Sequence, residues 1–288
     1  MLIKMRTCVS TVANHNRTEP SRLTGPLPLL LLLVVVCAVA LAVASIHGWQ
    51  PEESRDANIA VALSSRLQAA KMLADSGQFA AAQEQLAPLL KDSHGAAFRE
   101  VRWLSWQLQW EQTMGLPTGS AARTAAWKAL QQHTQGMVSL GGWTVQEWQT
   151  IATRAAALGD LRLSASAWEE AARSYPKNAL YFRQKAAGAL ATAGEGVKAG
   201  MIYLTLAPTE KDPALQSKFF LTGLRLIEGA VGAKVALEQG QNTLRQLPQL
   251  AKESNIVLHM ASLAMAADEP KIAADILFSA LSRGMTPP

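Results

Sequence analysis

The sequence predicts an all-α protein, with an N-terminal transmembrane helix followed by an α-solenoid of about five or six helical hairpins. Three observations predict it. Residues 29–46 carry no charged side chain. Beyond residue 58, apolar side chains recur at three- and four-residue intervals with almost no period-two alternation, which is the spacing of one helix face. Short Gly, Pro, Asp and Asn punctuations separate these stretches, as tight turns between helices require.

Composition narrows the function classes. Of 288 residues, 49% are hydrophobic and 17% charged, so the chain can bury a core and is not of disordered type. Two cysteines exclude a disulfide-rich scaffold and a four-cysteine zinc ribbon. The formal charge of +5 is concentrated at the start, where Lys4, Arg6, Arg17 and Arg22 oppose only Glu19. What remains is too little for a surface that tracks phosphates, so no nucleic-acid partner is expected.

In chain order, a basic cytoplasmic tail (1–22) precedes a transmembrane helix (23–47). Roughly 20 apolar residues span a hydrocarbon core of about 30 Å, and the run is long enough. Its leading flank is basic, while Glu52, Glu53 and Asp56 outweigh Arg55 behind it. The positive-inside rule then carries the rest of the chain across the membrane. The competing reading is a signal peptide cleaved after Ala42-Val43-Ala44, but the run is long for such a segment and so is the leader before it. Cys37 lies inside the run, Cys8 on the cytoplasmic side, and Trp49 just past the run suits an interfacial belt. A polar linker (48–58) leads to the repeat domain (59–284) and a short tail (285–288).

The repeat domain is read most clearly at 145–178, which resembles a tetratricopeptide repeat. Trp148, Ile151, Ala152, Gly159, Leu161, Trp168, Ala171 and Pro176 stand at the expected offsets. Ala152 is small where two helices cross closely, Gly159 permits the turn, Trp168 fills the space between helices, and Pro176 ends the second helix. Ala155 replaces the usual Tyr and Ser164 the usual Ala. Weaker copies lie at 63–95, where Pro88 should interrupt the second helix, at 180–211, and around Ala261, Ala273, Leu277 and Ala280. Two hairpins without a clear signature fill 97–134, turning at 115–119, and 214–247, turning near Gly232.

No catalytic constellation stands out, and neither a cofactor nor a metal site is expected. His15, His47, His94, His133 and His259 show no metal-ligand spacing, and His259 reads as a packed helix residue. The pair Glu169-Glu170 reads as a solvated helix face. Trp103, Trp106 and Trp110 share one helix face; they read foremost as packing between hairpins, with an aromatic binding strip as the sharper alternative. The concave face of such an array is lined by the first helix of each hairpin, here by Gln146, Gln149, Thr153 and Ala156. These residues are neutral, and a clamp for a peptide carboxylate would want Lys, Arg and Asn instead.

Together with the block at 148–176, the stretches 218–247 and 258–281 resemble the front end of PelB-type proteins, the periplasmic tetratricopeptide scaffolds of Pel exopolysaccharide export in Gram-negative bacteria. The resemblance implies a non-enzymatic scaffold of the bacterial inner membrane, with a single pass, a cytoplasmic N-terminus and a periplasmic repeat domain. It also implies partners among envelope proteins, including polysaccharide export and modification components. Such proteins normally continue through further repeats into a β-barrel, whereas the sequence here ends at Pro288. A generic envelope assembly factor or chaperone, for pili, secretion or cytochrome maturation, is the alternative. At the C-terminal end, Ile272, Ile276, Leu277 and Phe278 cannot all face the preceding hairpin, so an open apolar patch is expected there.

Overall fold

A computed structural model describes residues 36–39, 52–92 and 95–284. The chain divides into two compact units, Met1–Ala62 and Leu63–Pro288. In the first, residues 36–39 are helical, and a second helix begins at Glu52. Among the described residues, no helix is long and apolar enough to cross a membrane. Apart from residues 36–39, the apolar run at 29–46 lies outside the described residues, as do Cys8 and Trp49.

Every regular element among the described residues is helical. Helix α1 (Glu52–Asp75) is followed by α2 (Phe79–Leu86) and a single turn, α3 (Leu89–Asp92). Next come α4 (Gly95–Gly115) and α5 (Ala121–Leu140), then α6 (Val145–Ala157) and α7 (Leu161–Ser174). The series continues with α8 (Ala179–Thr192), α9 (Gly196–Leu206), α10 (Pro213–Val231) and α11 (Ala233–Gln246). It closes with α12 (Ser254–Ala266) and α13 (Pro270–Ser282). This order forms six helical hairpins. Pro88 falls in the break between α2 and α3, because its ring cannot extend the ladder. Residues 52–58, inside the expected linker, are helical, with Glu52 and Glu53 in the first turn, where acidic side chains are favoured.

Four of the six hairpin turns share one hydrogen-bond pattern. The amides of Gln78, Asp160, Glu195 and Glu269 donate to the carbonyls of Leu73, Ala155, Leu190 and Ala264 at 2.8–3.0 Å. This six-to-one bond closes a helix when one residue turns left-handed. Gly77, Gly159 and Gly194 take that position with φ near +80°, and Asp268 takes it with φ +60°. The resemblance among these hairpins therefore extends to backbone geometry.

Packing follows the repeat. One core cluster joins Leu67, Ala70, Ala82, Leu86 and Val101. A second gathers Trp106, Trp148, Ile151, Ala152, Trp168 and Phe182, and a third Phe220, Leu224, Ile227, Leu250 and Met260. Between α9 and α10 the backbones nearly touch. A Cβ on Gly200 would lie 2.6 Å from the Gly223 carbonyl oxygen, and one on Gly223 2.9 Å from both the Gly200 carbonyl oxygen and Leu204. Only glycine fits this crossing.

Candidate functional site

The best-defined hairpin, α6–α7, is fixed at both of its helix starts. At α6, Thr144 Oγ1 accepts from the Glu147 amide at 3.3 Å, and the Glu147 carboxylate accepts from the Thr144 amide at 2.7 Å. This reciprocal pair satisfies two otherwise orphaned amides. At α7, Asp160 Oδ1 accepts from the Leu163 amide at 2.9 Å. Trp148, Ile151, Ala152, Trp168 and Ala171 are all buried. Ala155 and Ser164, the two departures from the repeat pattern, are buried as well. Helix α7 ends at Ser174, and Pro176 opens a 3-10 turn, Pro176–Asn178, that leads into α8.

Between this hairpin and the next lies a surface groove of about 630 Å³, lined by Thr153, Ala156, Trp168, Tyr181, Gln184 and Lys185, among others. Trp168 forms its apolar floor. Its ring stacks on Phe182 at 5.8 Å and meets the edge of Tyr181 at 6.3 Å. The Lys185 ammonium sits 5.5 Å from the Tyr181 ring centroid, which holds a cation against an aromatic face. Tyr203 also borders the groove, and burial pushes its phenol above the usual range, so it stays a neutral donor. Of the residues expected on the concave face, Thr153 and Ala156 line this groove. Gln146 is exposed and Gln149 half-buried, and neither lines it.

The tryptophan strip separates into three environments. Trp106 is fully buried, and its indole donates to Thr134 Oγ1 at 2.9 Å. It therefore belongs to the core, not to a binding strip. Its face and that of Trp110 hold the Arg154 guanidinium, at 4.9 and 4.6 Å, with Glu111 at 3.7 Å. Trp103 is half-buried and packs against Trp106 and Trp143 at 5.2 and 5.6 Å. It lines a separate cavity of about 490 Å³ with Lys71, Arg99, Glu100 and Glu147.

Burial disfavours the protonated form of two histidines. Burial, with Arg102 nearby, lowers the His133 pKa to about 4; its Nδ1 lies 2.7 Å from Gln109 Oε1. Burial also lowers that of His259, whose Nε2 lies 4.0 Å from Glu228. Among the described residues, no group of three or more His, Cys, Asp or Glu is placed to hold a metal ion.

Two features have no mark in the repeat pattern: Tyr181 and Lys185 in the groove, and, outside it, the Gly200–Gly223 crossing. The signal for the second was available. Gly200 and Gly223 each stand inside a helix, where no turn requires them. Compared with protein-family models and with curated proteins, the chain matches none.

Proposed function

We propose that this chain is a non-enzymatic, membrane-anchored scaffold whose repeat array holds a partner of the bacterial envelope, in export of a Pel-type exopolysaccharide. The observation that carries the reading is the groove between α6–α7 and α8–α9. It combines aromatic surface from Trp168 and Tyr181 with an amide from Gln184, a hydroxyl from Thr153 and one cation from Lys185. Such a lining suits a neutral or weakly polar surface, because aromatic rings contribute area at low entropy cost and the polar groups fix orientation. The order of basic tail, apolar run and repeat array supports placing that surface outside the cytoplasm.

The test is a photo-crosslinking amino acid at exposed position 184 of the full chain, in cells that make the polymer. The reading expects adducts with a polymer-modifying enzyme or with the polymer itself. Adducts confined to pilus, secretion or cytochrome-maturation components would overturn it in favour of an assembly factor.

A further inference from the structure

Trp103 lines the cavity of about 490 Å³ bordered by α1, α4 and the start of α6. Its orientation is set by two indoles that are themselves tied down. Trp106 donates to Thr134 Oγ1 at 2.9 Å, and Trp143 donates to the Met137 carbonyl at 2.6 Å. Trp103 meets these rings at 5.2 and 5.6 Å, tilted by 46° and 43°. A ring fixed in this way loses little freedom when a ligand packs on it.

The polar rim is fixed as well. The Thr144 amide orients the Glu147 carboxylate at 2.7 Å, and the Lys71 ammonium orients that of Glu100 at 2.7 Å. An ionised carboxylate has about four acceptor sites, and each of these two uses one of them in that contact. Arg99 donates one N–H to the Gly142 carbonyl at 3.4 Å. Gly142, at φ +72°, makes room for it, since a Cβ there would collide with the guanidinium. The remaining N–H groups of Arg99 and the Gln107 amide complete a rim of donors and acceptors. Lys71 and Arg99 stand against Glu100 and Glu147, so the rim carries no formal net charge.

We infer that this cavity is a binding site for a neutral saccharide. A pyranose ring offers an apolar C–H face to an aromatic surface. Around its edge it carries hydroxyls, each of them both donor and acceptor. Planar carboxylate, amide and guanidinium groups bridge neighbouring hydroxyls, and the cavity supplies all three beside an indole. A charged sugar gains no net attraction from a rim of zero charge. A peptide fits less well. Helical peptides take an apolar groove and extended ones pair with a sheet edge. Here four charged side chains ring the cavity, and the elements that border it are helices. The site shares no lining residue with the groove at Trp168, so it goes beyond the scaffold reading and does not depend on it.

The probes are cellotriose, maltotriose and triacetylchitotriose, neutral trisaccharides that differ in linkage and substituent. Each is titrated calorimetrically into the full-length protein, held in a detergent without a sugar headgroup. At least one should bind saturably, and its affinity should fall at least tenfold in Trp103→Ala. Gln107→Ala and Glu147→Gln test the rim while leaving the indoles in place, and Gln can replace Glu in the helix cap. Each should weaken binding at least threefold at an unchanged melting temperature, while Tyr181→Ala in the separate groove leaves it unaltered. No binding of any of the three sugars, or equal binding by the unsubstituted protein and both rim variants, overturns the inference. A peptide array probed with the same protein is the second arm. Peptide binding lost in Gln107→Ala, with no sugar bound, would make a peptide the occupant, contrary to the inference.

Discussion

Asp268 shows what the repeated turn demands of one residue. Among the described residues it alone adopts a left-handed backbone without being glycine. A side chain there costs roughly 1–2 kcal/mol, less for Asp, whose short polar side chain eases the conformation. Asp268→Gly should therefore raise stability by up to about 1 kcal/mol, after subtracting glycine's greater entropy loss. Gly159→Val, at φ +80°, should lower it by about 2 kcal/mol, because β-branching worsens the same clash. Thermal or urea melts of the two variants should move in opposite directions. Gly159 was legible because glycine at that offset is a strong signal. Asp268 was not, since the hydrogen bond that marks its turn has no trace in composition.

His133 makes a residue-scale prediction of another kind. Its folded-state pKa of about 4 lies below the unfolded value near 6.5, so the unfolded chain binds the proton more readily. Stability from this group is complete above pH 6.5 and declines as pH falls toward 4, by up to about 3 kcal/mol. His133→Gln, which keeps a polar group beside Gln109, should flatten that part of the profile. Urea melts between pH 4 and 7 measure it, and an unchanged slope in the variant would contradict the assignment.

At the scale of the element, the repeat pattern was readable wherever one side chain has one task. Ala152 and Ala171 are fully buried, and Trp168 is 8% exposed within the same cluster. Trp168→Ala should cost roughly 3–5 kcal/mol through lost burial and the cavity left behind. The residue also floors the groove, so its loss should weaken binding there. The α9–α10 crossing was harder to read. It depends on two glycines in different helices meeting face to face, and their register is set only once both hairpins are packed. Gly200→Leu should destabilise by at least about 1–3 kcal/mol, because an added Cβ would meet both the Gly223 carbonyl, which is backbone and cannot swing aside, and the fully buried Ile227 at 2.6 Å. The corresponding change at half-buried Gly188, where an added Cβ meets nothing within 4 Å, should leave the melting temperature nearly unchanged. Trp106 illustrates the reverse problem. Helical spacing puts it on one face with Trp103 and Trp110, but spacing does not reveal which member the neighbouring helix α5 will cover. Thr134 on α5 accepts its indole hydrogen, and that partner is distant in sequence.

At the scale of the whole molecule, the hairpins stack so that each buries apolar surface on its neighbours, and stability is close to a sum of local terms. Damage at one crossing should therefore remain local, and a surface such as the groove can be altered separately from the crossings. The basic tail and apolar run add a topology prediction. A reporter active only outside the cytoplasm should work when fused after Pro288, and the intact chain should stay with membranes on extraction. A soluble product beginning at Ser45 would instead establish a cleaved signal peptide.

The proposed scaffold role is tested most directly by titrating the full-length protein with a polymer-modifying enzyme of the proposed Pel-type export pathway and, separately, with the polymer. Intrinsic tryptophan fluorescence follows binding, since Trp168 floors the groove. The account predicts saturable binding to at least one of the two, weakened tenfold or more by Tyr181→Ala at an unchanged melting temperature. Binding to neither, or equal binding by Tyr181→Ala and the unsubstituted protein, would contradict it.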